Sequence, residues 1–241
     1  MKNIYLTVLF LIPIWILSQN NSKLDHQKRV HIKNDNTYIQ KSLPIYLNFS
    51  TEPNGKNYTL NSKVSKDYTN PMYLDTEGIN YIRSKWAVDK NTKKTVYPQK
   101  EILYEIYADG LAPKTISAFK NAPKYISNKN YYGKGLVVDL NAKDYGSGLE
   151  NIHFRLNSDG FKVYSSSLEM NKEGEINLYY YSSDNVGNSE RIKNKGFVVD
   201  LTPPTTAHSI KGIVYQESIL SPKSSFVISS NDNLSGVKNT F

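Results

Sequence analysis

The chain has 241 residues, 39% hydrophobic and 22% charged, which suits one or two folded domains of ordinary size. It contains no cysteine, which excludes a disulfide framework and any thiolate metal site. Thirty Lys and Arg against 22 Asp and Glu leave a net charge of +8. That balance favours polyanionic neighbours such as acidic polysaccharide, lipopolysaccharide, nucleic acid or an anionic membrane face. The basic residues are dispersed, with Lys28-Arg29 and Lys93-Lys94 as the adjacent pairs, so a solvated basic surface fits better than a specific nucleic-acid site.

Residues 1–18 read as a signal peptide. Lys2 precedes an apolar run from Ile4 to Leu17, too short for a comfortable membrane span, and a polar stretch follows. Cleavage is expected between Ser18 and Gln19, with an uncleaved membrane anchor as the alternative, and no Cys follows to carry a lipid anchor. Residues 19–43 are polar and charged with little periodicity, which predicts a disordered linker.

From Pro44 onward the pattern is that of strands. Ile45, Leu47 and Phe49 alternate with Tyr46, Asn48 and Ser50, and the first module extends over 44–111, punctuated by Pro53-Asn54-Gly55, Asn70-Pro71, Glu77-Gly78 and Asp89-Lys90-Asn91. NYIRSKWAV is expected to form a strand there, with Trp86 in the core. The second module, 112–203, has the clearest alternation: Ile152, Phe154 and Leu156 share a face, as do Ile176, Leu178 and Tyr180. Ser158-Asp159-Gly160 is expected to be a hairpin turn with Gly160 supplying a positive φ. Nineteen tyrosines against three methionines lean the same way, because aromatic side chains suit a pleated, half-buried surface.

One phrase occurs twice. Asp144, Ser147 and Gly148 in DLNAKDYGSGLENIH are matched by Asp232, Ser235 and Gly236 in VISSNDNLSGVKNTF; Asp109, Pro113 and Thr115 upstream are matched by Asp200, Pro204 and Thr206. A period of about ninety residues signifies tandem modules, and residues 204–241 then form an incomplete third one. Glu77-Gly78 and Glu173-Gly174 align the first module with the second, although the first lacks the Asp-x-Gly-Ser-Gly phrase. The expected fold is therefore all-β: tandem immunoglobulin-like antiparallel β-sandwiches after a signal peptide and polar linker.

Candidate chemistry is sparse. Asp144 and Asp184 stand at turns where strand-end carboxylates and loop carbonyls suit Ca²⁺, but Asp before Gly also caps its own turn. No cofactor other than calcium is suggested. No paired-acid, His-rich metal, nucleophile-elbow or phosphate-loop spacing is present, so the protein reads as non-enzymatic. Tyr179 and Tyr181 lie on the strand face opposite Tyr180, and at least one of the two faces is expected to be core. Tyr179 and Tyr181 are the candidates for stacking on a glycan or anchoring a surface protein if theirs is open.

The order AKDYGSGLENIHFRLNSDG, NKEGEINLYYYSSDNVGNSE and DLTPPTT resembles the repeat of a leptospiral outer-membrane surface protein, usually described as a β-barrel domain. Asp144, Gly146, Ser147, Gly148, Asp159, Gly160, Glu173, Gly174, Asp184, Gly187, Asn188 and Glu190 carry the likeness. The first module is loosely similar to the C-terminal sandwich of secreted hexosaminidases. The resemblance implies an exported protein at the outer-membrane surface, in the periplasm or outside the cell, serving adhesion or display. Two alternatives stand beside it: the N-terminal fragment or accessory module of a larger secreted carbohydrate-active protein, and an outer-membrane β-barrel. The short strands, interrupted by Lys, Arg, Asp and Asn, suit a soluble sandwich better than a lipid-facing barrel.

Overall fold

A computed structural model describes residues 26–59, 70–83, 87–89, 91–96, 103–215 and 219–240, and every regular element among them is a strand. The leader, the Ser18–Gln19 junction and Trp86 lie outside the described residues. The first strands are β1 (Val30–Lys33), β2 (Asn36–Gln40), β3 (Asn48–Phe49), β4 (Tyr58–Thr59), β5 (Gly78–Arg83), β6 (Ala87–Val88), β7 (Thr95–Val96) and β8 (Leu103–Asp109). Next come β9 (Lys114–Lys120), β10 (Lys124–Ile126), β11 (Asn130–Tyr132), β12 (Val137–Lys143), β13 (Leu149–Leu156), β14 (Lys162–Val163), β15 (Leu168–Glu169), β16 (Gly174–Asp184) and β17 (Lys193–Val199). The last are β18 (Thr205–Lys211), β19 (Val214–Tyr215), β20 (Ile219–Leu220) and β21 (Ser225–Asn231).

The main core lies between two sheets built from β9 to β17. One has the order β10-β11-β17-β16-β13-β14 and the other β15-β12-β9. Because successive side chains on a strand point to opposite faces, Val138 and Leu140 of β12 meet Ile152 of β13, Ile176, Leu178 and Tyr180 of β16, and Phe197 and Val199 of β17. Phe119 stacks on Tyr132 at 5.2 Å and takes the edge of Phe197 at 5.1 Å. This is a β-sandwich, and the alternation at 152–156 and 176–180 places those residues in its core or packed against it.

Polar groups also tie the sheets together. Glu190 accepts hydrogen bonds from the Thr115 amide at 3.1 Å and the Ser182 amide at 3.2 Å, and it pairs with Lys193 at 2.6 Å. The Thr115 hydroxyl donates to Ser182 Oγ at 2.9 Å, so β9 is held to β16 at a buried position where an orphaned donor would be costly.

The strand pairing repeats along the chain. β2 runs parallel to β8, with Tyr38 opposite Tyr107 and Ile39 opposite Ala108; β11 runs parallel to β17, with Tyr131 opposite Val198 and Tyr132 opposite Val199. Gly78 starts β5 opposite Ala108, as Gly174 starts β16 opposite Val199. The sheet β1-β2-β8-β5 thus reproduces the arrangement β10-β11-β17-β16. Further on, β18 pairs with β21 from Thr205↔Asn231 to Lys211↔Ser225, the register in which β9 pairs with β12 from Lys114↔Lys143 to Lys120↔Val137.

The structure departs from the sequence reading at several points. Residues 30–40, expected to be disordered linker, form β1 and β2. Asn34 and Asp35 both take positive φ (50° and 62°), which a tight two-residue hairpin turn requires and which Asn and Asp tolerate. The strand expected from Ile45 shrinks to Asn48–Phe49, with an isolated bridge between Ile45 and Met72. In the 157–160 turn the positive φ falls on Asn157 (50°) and not on Gly160. The segment after it crosses between sheets, β14 pairing with β13 and β15 with β12.

Leu178 is fully buried in the centre of the sandwich. Leu178→Ala is expected to destabilise the protein by about 3 kcal/mol, because it removes apolar contact and leaves a cavity. Urea unfolding followed by tyrosine fluorescence would measure this, and a loss below about 1 kcal/mol would mean the two sheets are not packed as described.

Candidate functional site

The repeated phrase forms a hydrogen-bonded clamp where one group of strands meets the next. Asp144 opens the turn after β12, and its Oδ2 accepts the amides of Gly146 at 2.9 Å and Gly148 at 2.8 Å. That folds the turn so that the Ser147 amide points outward to Asp109, the last residue of β8, reaching its Oδ2 at 2.6 Å. Gly148 has a φ of 96°, a region costly for a side chain bearing Cβ, and a Cβ on Gly146 would collide with the Asp109 carboxylate. Glycine is therefore required at both positions for distinct reasons.

A third carboxylate completes the arrangement. Asp184 ends β16, and its Oδ1 accepts the amides of Val186 at 3.1 Å and Asn188 at 2.7 Å, while Oδ2 accepts from Asn188 Nδ2 at 2.7 Å. Asn188 Nδ2 also reaches the Asp109 carbonyl at 3.0 Å, and its Oδ1 accepts from Gln40 at the end of β2. Asn188, buried at 3% exposure, thus joins Asp184, Asp109 and β2 in one network. The segment leading into β1 is tied on as well: the Arg29 amide donates to Val186 O, its Nε to Asn185 O at 2.8 Å, and its guanidinium pairs with Glu150 at 2.5 Å.

The clamp recurs at the next junction. Asp200, just past β17, accepts the Ser235 amide at 3.0 Å, and Asp232 accepts the amides of Leu234 at 3.0 Å and Gly236 at 2.8 Å. Gly236 has a positive φ of 84°, matching Gly148. Glu173 likewise accepts the Leu201 amide at 2.8 Å, as Glu77 accepts that of Gly110 at 2.7 Å.

One carboxylate oxygen from each of Asp109, Asp144 and Asp184 lies within 4.8 Å of the others. Asp144 and Asp184 are the two calcium candidates legible in the sequence, where Asp109 stands out only as a marker of the repeat. Such a set can hold a divalent cation, but here each carboxylate already accepts amide donors that fasten strands, which is the turn-capping role of Asp. Burial pushes the Asp184 carboxyl up to about 6, with the charges of Asp109 and Asp144 adding to it and the Asn188 donors opposing. Asp144 is also raised, chiefly by burial.

The two candidate tyrosines differ in exposure. Tyr181 is 3% exposed, stacked on His153 at 4.7 Å, with Phe161 and His26 against its other sides. The outer face of β16 is covered there by the Phe161 loop and the segment entering β1, which alternation along a single strand does not reveal. Tyr179 is half-buried under the Arg155 guanidinium at 4.1 Å. His153 is held below its ordinary value, first by burial and then by the neighbouring His26.

Fold and clamp together define an all-β protein of successive strand groups fastened by carboxylate-to-amide hydrogen bonds. No protein-family model, curated protein or solved structure matches the chain.

Two outcomes test the clamp. Asp109→Ala leaves the buried Ser147 amide without an acceptor and is expected to cost about 2–3 kcal/mol in urea unfolding, whereas Asp200→Ala, at the more exposed junction, costs about 1 kcal/mol. Equal losses would deny that burial sets the strength of the clamp. The second outcome concerns pH. The Asp184 carboxyl is raised in the folded state above the ordinary 3.9 of the unfolded chain. Its stabilising contribution is therefore complete below about pH 4 and is lost as pH rises through about 6. His153 acts in the opposite sense over this window but cancels when parent and variant are compared. The stability difference between parent and Asp184→Asn should grow in the parent's favour from pH 7.5 to pH 5, and millimolar calcium should leave it unchanged. A calcium-dependent rise in the parent alone would make the cluster a metal site.

Proposed function

We propose that this is an exported, non-enzymatic protein of tandem immunoglobulin-like sandwiches, displayed at the cell surface for adhesion or structural presentation. The observation that carries the reading is the repeated clamp of Asp109 with Ser147 and Asp200 with Ser235, a device that sets one strand group on the next. Acids that the sequence offered for chemistry serve this purpose: Asp144, Glu173, Asp184 and Glu190 all accept backbone amides at junctions or between sheets. The likeness to leptospiral surface repeats and the apolar leader support export in the same direction.

A second reading, an accessory segment of a longer secreted carbohydrate-active protein, is favoured by β18 and β21. Phe226 and Ile228 of β21 are 58% and 41% exposed, although their counterparts Val138 and Leu140 in β12 are core residues. For the barrel alternative, all sheets among the described residues have two free edges, and closure is what removes edges in a lipid-spanning barrel.

Protease shaving of intact native cells tests the main reading. The expected product is a chain that begins at Gln19 by N-terminal sequencing and is cut without lysis. A protein that retains residues 1–18 and resists shaving until the cells are opened would sink it.

A further inference from the structure

The first junction carries a cleft beside the clamp, with Asp109, Asp144 and Gly146 in its lining. It encloses about 530 Å³ between β2, β5 and β8 on one side and the start of β9 and the Asp144 turn on the other. A volume of that size suits a small ligand or one or two rings of a polymer. Tyr38 and Tyr107 meet with ring centroids 5.0 Å apart on one wall, and Tyr145, 80% exposed, stands on the other. The Lys143 amine sits 4.5 Å over the Tyr145 ring, and Lys114 lines the same cleft. Neither lysine has a carboxylate within ion-pair distance among the described residues, whereas Lys41, Lys120, Lys129 and Lys193 are all paired.

The next junction repeats the combination. A cleft of about 310 Å³ there is lined by Tyr125, Tyr131 and Tyr132 together with Asp200, Asp232 and Lys124, whose amine lies 5.6 Å over the Tyr132 ring. Tyr38 and Tyr131 hold the same place in their strands, each opposite a residue of the parallel neighbour that leads to the clamp Asp.

We propose that these junction clefts bind an acidic polysaccharide, one uronate-containing segment to each cleft. Tyr145 in the first cleft and Tyr125 in the second are exposed and offer flat apolar surface with a polar tip for a pyranose ring. The unpaired lysines supply compact positive charge for its carboxylate. The carboxylates that line the clefts, Glu77, Asp109 and Asp144 in the first and Asp200 and Asp232 in the second, already accept backbone amides and leave the ligand contacts to the tyrosines and lysines. Clefts recurring once per strand group match a ligand that is itself a repeating polymer, so that a second contact adds to the first through effective concentration. This deepens the proposed surface-binding role and rests on it.

The test uses the purified full chain in affinity electrophoresis through gels containing polygalacturonate, dextran or single-stranded DNA. Polygalacturonate should retard the protein and the other two should not. Tyr145→Ala and, separately, Lys114→Ala with Lys143→Ala should each weaken that retardation about tenfold, with thermal midpoints unchanged. The exposed controls Tyr73→Ala and Lys172→Ala should change it less than about twofold. No retardation by polygalacturonate, equal retardation by dextran or DNA, or equal losses in the control variants would each overturn the proposal. Because binding is read in solution and display is read by shaving cells, failure of one is distinguishable from failure of the other.

Discussion

The Asp109 carboxylate must meet the Ser147 amide for the rest of the molecule to take its arrangement. Both partners are fully buried, so neither can turn to water if the contact fails. The bond dictates a glycine at 146, because the approach leaves no room for a Cβ, and a second at 148, because the turn that presents the amide needs a positive φ. It also brings Asp144 and Asp184 close to Asp109; burial raises the Asp184 carboxyl, the Asn188 donors oppose the rise, and the neighbouring carboxylates add to it. Geometry that is favourable for assembly is therefore bought at the expense of buried charge, and the donors from Val186, Asn188 and Gly148 are what keep that charge tolerable.

The parts of this fold that the sequence reveals are those in which one strand face is apolar over several residues. Ile152 with Phe154, and Ile176 with Leu178 and Tyr180, show their alternation plainly because β13 and β16 are long and central. β1 and β2 do not, since VHIK and NTYIQ are short and mostly polar, and what orders them is the non-local parallel pairing of β2 with β8. A pairing between positions so distant in the chain leaves no periodic trace in either segment.

The repeat itself was legible, but its meaning was not. Constant spacing linked Asp109 to Asp200 and Ser147 to Ser235, and nothing in that spacing says that the two elements of each pair touch. Tyr181 shows the converse limit. Alternation correctly separates it from Tyr180, but the opposite face of a strand is exposed only if no other segment lies on it, and here His26 and Phe161 do.

The shared register of β9–β12 and β18–β21 has a bearing on how the chain folds. β10 and β11 lie between β9 and β12, and β19 and β20 between β18 and β21, so neither pair is a simple hairpin, while the carboxylate that receives the turn after each pair stands at the end of the preceding strand group. Each strand group thus presents a carboxylate to the strand pair that follows it. The dependence runs both ways, because Asn188 and Val186 of the later group hold Gln40 and Arg29 of the earlier one, so the two groups are expected to order together.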